Sequence, residues 1–142
     1  MTPIKLQTIL GVILLIVGVS FDFFFVQGKI SEAFKTNSVS YLSSWEKQLY
    51  DLTKFYMIVL GFANIVLALL AVHLASSEKI DWTILGLMFI GSIIVIMTGF
   101  WYAIAGPSFK WEVRCTVLTA GLFAVLLALG LEIHKLIFTR SL

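Results

Sequence analysis

Four apolar runs, residues 4–26, 53–76, 82–105 and 112–138, each exceed the roughly 20 residues that a helix needs to cross bilayer hydrocarbon. Nothing else in the chain restricts its fold as strongly. Inside lipid a helix satisfies its own backbone N–H and C=O groups, and apolar runs of this length read as spanning helices. The expectation is all-α: an integral membrane four-helix bundle forming a single domain, 1–142. It is read as two antiparallel hairpins with a partly helical 25-residue loop, about 27–52, between helices 1 and 2. Both termini then lie on the same side of an unidentified membrane.

Composition agrees with this and removes several function classes. Of 142 residues, 60% are hydrophobic and only 13% charged, outside the usual range of soluble domains. A formal charge of +2, with no run of five basic residues, offers nothing to nucleic acid or to an anionic lipid surface. Cys115 is the single cysteine, so neither an internal disulfide nor a CxxC redox or zinc pair can form. The first run is too long for a signal-peptide core and lacks a small-residue cleavage site, so it is read as a retained helix.

Along the second run, Lys54, Met57, Gly61, Asn64, Ala68, Ala71 and Ala75 recur at steps of three and four, putting mostly small or polar side chains on one helix face. Without a hydrophobic drive between helices in lipid, such faces are where helices pack. Gly11 and Gly18 form a comparable face on helix 1, Gly91 and Gly99 on helix 3. On helix 4 the strict four-residue series Thr116, Ala120, Ala124, Ala128 and Glu132 reads as a small-residue ridge. Ser43 and Glu46 have capping-box spacing, so helix 2 is expected to start there and run about 33 residues to Ser76, well proud of the membrane. Gly28 is read as the stop of helix 1, and Gly106-Pro107 as the break after helix 3.

The side bearing the long loop holds all four tyrosines and three of the four tryptophans, an excess over ordinary interfacial anchoring that reads as an aromatic core or docking surface. The same side holds the candidate polar cluster, Asp22, Lys54, Tyr102 and Arg114, each in phase with the small face of a different helix. Ionisable groups near hydrocarbon are costly unless paired. A bidentate Asp22–Arg114 pair is the expected geometry, because guanidinium matches carboxylate. The cluster serves either as a clasp between helices or as the mouth of a site for a lipid headgroup, a quinone or a small acid. His73 and His134 are the candidate axial ligands for a haem, but both fall out of phase with the packing faces, so no cofactor and no metal are expected.

No Ser/His/Asp set, HExxH motif or phosphate loop is present, so no enzyme chemistry of those kinds is expected. Lys and Arg number six on the loop side against four on the other, and four against four once Lys54 and Arg114 are committed to Asp22, so charge does not orient the chain. The leading expectation is a non-enzymatic accessory or structural subunit of a larger membrane complex. Its partners are other integral membrane subunits, in a homo- or hetero-oligomer, and membrane lipids. The second expectation is a membrane protein that binds a lipid, quinone or small acid, or a small oligomeric transporter.

Overall fold

The computed structural model describes residues 2–74, 78–106 and 110–138 and is all-α. The elements are α1 (Pro3–Phe21), a π-helical turn (Asp22–Val26), α2 (Gln27–Lys35), α3 (Val39–Leu42), α4 (Trp45–His73), α5 (Glu78–Ala105) and α6 (Val113–Phe138). Four helical stretches are long and apolar enough to cross a membrane: Pro3–Lys35, Trp45–His73, Glu78–Ala105 and Val113–Phe138. By length and composition this is an integral multi-pass membrane protein.

The first helix is longer than its apolar run. Gly28 does not stop it, and the helix continues to Lys35 through the π turn, where Gln27 N–H bonds back to Asp22 O. A glycine ends a helix only when the chain turns left-handed there, and at Gly28 the α2 residues Ile30 and Ala33 still face the protein, so the apolar stripe carries the helix past it. The wider π turn keeps residues spaced by four in line, so Gly18, Asp22 and Val26 all stay turned toward α4. Most of the supposed loop 27–52 is therefore helix. Only Thr36–Ser38 and the ends of α3 interrupt it, with Asn37 taking a positive φ of 52° at the turn. The cap of α4 is Ser44, whose hydroxyl accepts from Lys47 N–H, one residue after the Ser43 expected from the capping-box spacing. Glu46, freed from capping, meets Lys29 of α2 instead. The α4 helix has 29 residues and ends at His73; Ser76 and Pro107, on which two expected boundaries fell, lie outside the described residues.

Glycines set the distance between helices at two places. A Cβ on Gly11 would come within 2.7 Å of Gly61 O, and one on Gly61 within 2.9 Å of Gly11 O, so α1 and α4 touch backbone to backbone. Likewise a Cβ on Gly91 would fall 2.9 Å from Gly121 O, which fixes the approach of α5 and α6. Contact at this range maximises dispersion and interhelical dipole interactions, the attractions that remain in lipid. Between the two pairs, α4 lies on α5, with Thr53 seated on Gly99. Leu60, Leu67, Ile84, Met88, Val95, Val125 and Ala128 fill the centre, and Val26, Tyr50 and Ala103 form a second core toward the loop end.

Helix 6 departs from its expected ridge. Its buried face is Arg114, Gly121, Val125, Ala128, Glu132 and Lys135, two turns apart at first and then spaced by alternating fours and threes. Ala128 and Glu132 belong to it, Ala124 is half-buried, and Ala120 and Thr116 face outward. A strict four-residue series gains about 40° per step on a helix of 3.6 residues per turn, so it winds off a straight contact. On α4 the mixed spacing of Gly61, Asn64, Ala68 and Ala71 holds the face, and all four are buried.

Candidate functional site

Polar side chains concentrate at two ends of the helices. At the loop end, α1 and α4 run antiparallel with Gly11 against Gly61, Gly18 against Met57, Asp22 against Lys54 and Lys29 against Glu46. Lys54 Nζ donates to Asp22 Oδ1 at 2.9 Å and to Asp51 Oδ1 at 3.4 Å, while Lys47 Nζ donates to Asp51 Oδ2 at 2.8 Å. Asp51 thus bridges two lysines, and the ladder climbs α4 to Glu46. Beside it, Lys29 Nζ lies 5.0 Å from the ring centres of Phe25 and Tyr50 and 5.8 Å from that of Tyr41, over faces that attract a cation. Phe21, Phe25, Tyr50 and Phe100 stack edge and face around the same spot, so part of the aromatic excess is an ordinary core. The Tyr41 hydroxyl is buried without a hydrogen-bond partner, and burial pushes its pKa up. A cavity of about 270 Å³ opens next to it, lined by Lys29, Glu32, Thr36, Ser38, Tyr41 and Glu46.

The expected four-residue cluster separates into two. Asp22 pairs with Lys54, but Arg114 binds Glu112 through Nε and Nη2, at 3.0 and 2.6 Å, and Gly106 O through Nη1 at 2.9 Å. Its guanidinium lies 4.8 Å over the Tyr102 ring, whose hydroxyl meets Cys115 Sγ at 2.9 Å. Gly106, at φ +80°, turns its carbonyl toward Arg114 at the end of α5. The expected bidentate Asp22–Arg114 pair is thus replaced by a local clamp: Glu112, two residues before Arg114, satisfies the guanidinium without the entropy of a long reach.

At the other end lies a cluster that the sequence reading missed. Lys135 Nζ donates to Asp81 Oδ1 of α5 at 2.8 Å and to Glu132 Oε2 at 2.9 Å, and the lysine side chain is only 2% exposed. The signal was present in the spacing Ala128, Glu132, Lys135, which continues the buried face. Lys135 reads as a flanking charge only when the face is taken as Ala120-Ala124-Ala128. Four interior groups also hold a buried polar atom without a partner, one from each long helix: Gln7 Nε2, Asn64 Oδ1, Ser92 Oγ and Glu132 Oε1. Asn64 donates to Leu60 O of its own helix rather than across the interface.

The two histidines stand apart from this. His73 is exposed and bonds Leu69 O, and His134 is exposed and packs on Phe138, so neither turns toward an interior cofactor space. Among the described residues no group of three His, Cys, Asp or Glu side chains could hold a metal ion. An apolar groove of about 410 Å³ runs between α1 and α5 along Leu6, Leu10, Ile13, Trp82 and Phe89. No protein-family model, curated protein or solved structure matches the chain.

Proposed function

We propose that the chain is a non-enzymatic accessory or structural subunit of a larger integral membrane complex. In this reading it is a four-helix membrane bundle of two antiparallel hairpins, with both termini on one side. The observation that carries the reading is exposed apolar surface past the charged ladder at the loop end. The charged ladder of Asp22, Lys54, Asp51 and Lys47 marks the edge of the hydrocarbon, where ions can be solvated. Phe34 lies twelve residues past Asp22, about 18 Å further along the helix at 1.5 Å per residue. That is well past a headgroup layer roughly 5–8 Å deep. Phe34 is 67% exposed, Val39 73% and Trp45 59%. In this reading lipid tails do not reach them, and large apolar side chains exposed to water support a protein contact. Helices α1 and α6 add apolar flanks within the membrane, for lipid or for neighbouring subunits.

The reading of a lipid, quinone or acid site at the loop end has less support, because Arg114 is held by Glu112 and Gly106, and Lys54 lies between two carboxylates. No spare cation of the expected cluster faces a shared mouth.

Native electrophoresis of membranes solubilised in a mild detergent tests the proposal. The chain should migrate far above its own mass, and Phe34→Ser with Trp45→Ser should release it toward the monomer. A wild-type chain that runs as a monomer defeats the reading.

A further inference from the structure

The apolar groove between α1 and α5 lies at the end of the molecule opposite the loop, and its depth restricts what can fill it. It runs from Leu6 to Ile13 on α1 and from Trp82 to Phe89 on α5, seven residue steps on each helix, and holds about 410 Å³. At 1.5 Å per residue that is about 10 Å, a third of a hydrocarbon layer roughly 30 Å thick. A partner's spanning helix would pass far beyond it, whereas the upper part of a lipid acyl chain matches it. Gly86 forms part of the wall, and a Cβ placed on it meets nothing within 4 Å. At Gly11, Gly61, Gly91 and Gly99 a Cβ would come within 3 Å of a neighbouring helix, so the missing side chain there serves helix contact. A glycine inside a helix costs up to about 1 kcal/mol against alanine. At Gly86 no helix contact offsets that cost, and the missing side chain deepens the groove instead.

The groove opens near the first turns of both helices, and its rim carries both signs of charge. Lys5 directly precedes Leu6, Lys79 lies three residues before Trp82, and both are exposed. None of the ion pairs among the described residues uses either lysine. Glu78, one turn before Trp82, accepts from Trp82 Nε1 at 3.4 Å, which ties its carboxylate to the wall of the groove. The other acid of this turn, Asp81, is 12% exposed and bonds Lys135 in the interior.

We propose that the groove binds one aminophospholipid of the phosphatidylethanolamine type. An acyl chain lies along Leu10, Ile13 and Phe89 and over Gly86. The phosphate takes the ammonium groups of Lys5 and Lys79, and the lipid's own ammonium donates to Glu78. Lysine stems reach such a position by running over apolar surface with the charge held at the interface. A choline headgroup has no N–H for the carboxylate, and a glycerol headgroup has no cation for it, so the rim distinguishes ethanolamine from both. The site is separate from the docking surface at the loop end, and its failure would leave that reading untouched.

Lipids brominated on their acyl chains quench tryptophan fluorescence on contact, and Trp82 stands in the wall of the groove. Trp45→Phe, Trp101→Phe and Trp111→Phe in the full chain leave Trp82 as the only emitter. In nanodiscs of unbrominated phosphatidylcholine, brominated phosphatidylethanolamine should reach half-maximal quenching at about a three- to fivefold lower fraction than brominated phosphatidylcholine or phosphatidylglycerol, the effect of one partly solvated ionic contact. Gly86→Leu places its side chain in open space rather than against a helix, and should abolish that preference. Glu78→Gln should bring the glycerol lipid level with the ethanolamine lipid. The comparison of lipids itself needs no change in the groove. Equal quenching by the three lipids, meaning annular lipid only, overturns the proposal. So does a preference for the choline or glycerol lipid before Glu78 is changed, or an ethanolamine preference that persists in Gly86→Leu.

Discussion

Lys54 and Lys135 are two copies of one arrangement in two different solvents. Each ammonium donates to a carboxylate three residues back on its own helix, Asp51 or Glu132, and to an aspartate on the antiparallel neighbour, Asp22 or Asp81. Thr53 sits against Gly99, and Lys135 reaches Asp81, so the clusters lie about 27 Å apart along α5 at 1.5 Å per residue. The side chains at the Lys54 end are 24–34% exposed, while Lys135 is at 2%. Identical pairings therefore carry different energies. Where water reaches, the ions are nearly as well solvated apart as together, and the pairing guides register more than it adds stability. Where water is excluded, each partner is indispensable to the other because removing one strands a buried charge.

The largest expected effect follows from that asymmetry. Lys135→Met takes the ammonium away from the buried Glu132 carboxylate and should destabilise the fold by about 3–5 kcal/mol. Denaturant unfolding in micelles, followed by tryptophan fluorescence, measures this loss. Replacing Glu132 and Asp81 by apolar residues together with Lys135→Met should recover most of it, since a buried ionic group can often be exchanged for packing at little net cost. A single Lys135→Met that unfolds like wild type would erase the distinction between the two ends.

The second prediction concerns the helix that carries Lys135, and shows what the sequence could and could not tell. The number and type of helices were legible because a spanning run is a property of twenty neighbouring residues. The faces of α1 and α4 were legible because glycine and alanine fall at mixed three- and four-residue steps. On α6 the alanines follow a strict four-residue step, which looks more regular but winds off the contact, and the true face passes through Gly121 and Val125. Following the alanines hid Lys135, whereas Arg114, read in phase with Gly121 and Ala128, does lie on the buried face and only its partner, the neighbouring Glu112, was missed. Gly28 was misread for a related reason: its role depends on whether α4 offers a surface beyond it, which is tertiary information. Ala128→Leu should therefore overpack the centre, where Ala128 is fully buried, and cost about 1–3 kcal/mol. Ala120→Leu, on the same nominal ridge but facing outward, should change stability by less than about 0.5 kcal/mol. Equal losses from the two would restore the ridge and weaken the assignment of Lys135 to the buried face.

At the open end, Lys54→Met should cost no more than about 1 kcal/mol. Asp51 keeps Lys47 as a partner, and Asp22 is partly solvated, so no charge is stranded. A double-mutant cycle pairing Lys54→Met with Asp22→Asn isolates the contact itself, and its coupling energy should be a small fraction of that between Lys135 and Glu132. Comparable coupling energies would mean that exposure does not separate the clusters, and the loop-end ladder would then have to be counted as a clasp between α1 and α4.

The smallest effect is also the sharpest discriminator, because it changes the solvent and leaves the protein intact. Raising the salt from about 0.1 M to about 1 M shortens the screening length from roughly 10 Å to roughly 3 Å. Ions can enter the Lys54 ladder, so its coupling to Asp22 should fall by a few tenths of a kcal/mol over that range. They cannot enter around Lys135, where the pairing distances of 2.8 and 2.9 Å are enclosed by packed helices, and its coupling to Glu132 and Asp81 should stay constant. The same double-mutant cycles, repeated at both salt concentrations, supply the measurement. Salt-sensitive coupling at Lys135 would require that water and ions reach the cluster. An open path of that kind would place both clusters in the same solvent and remove the difference drawn between them.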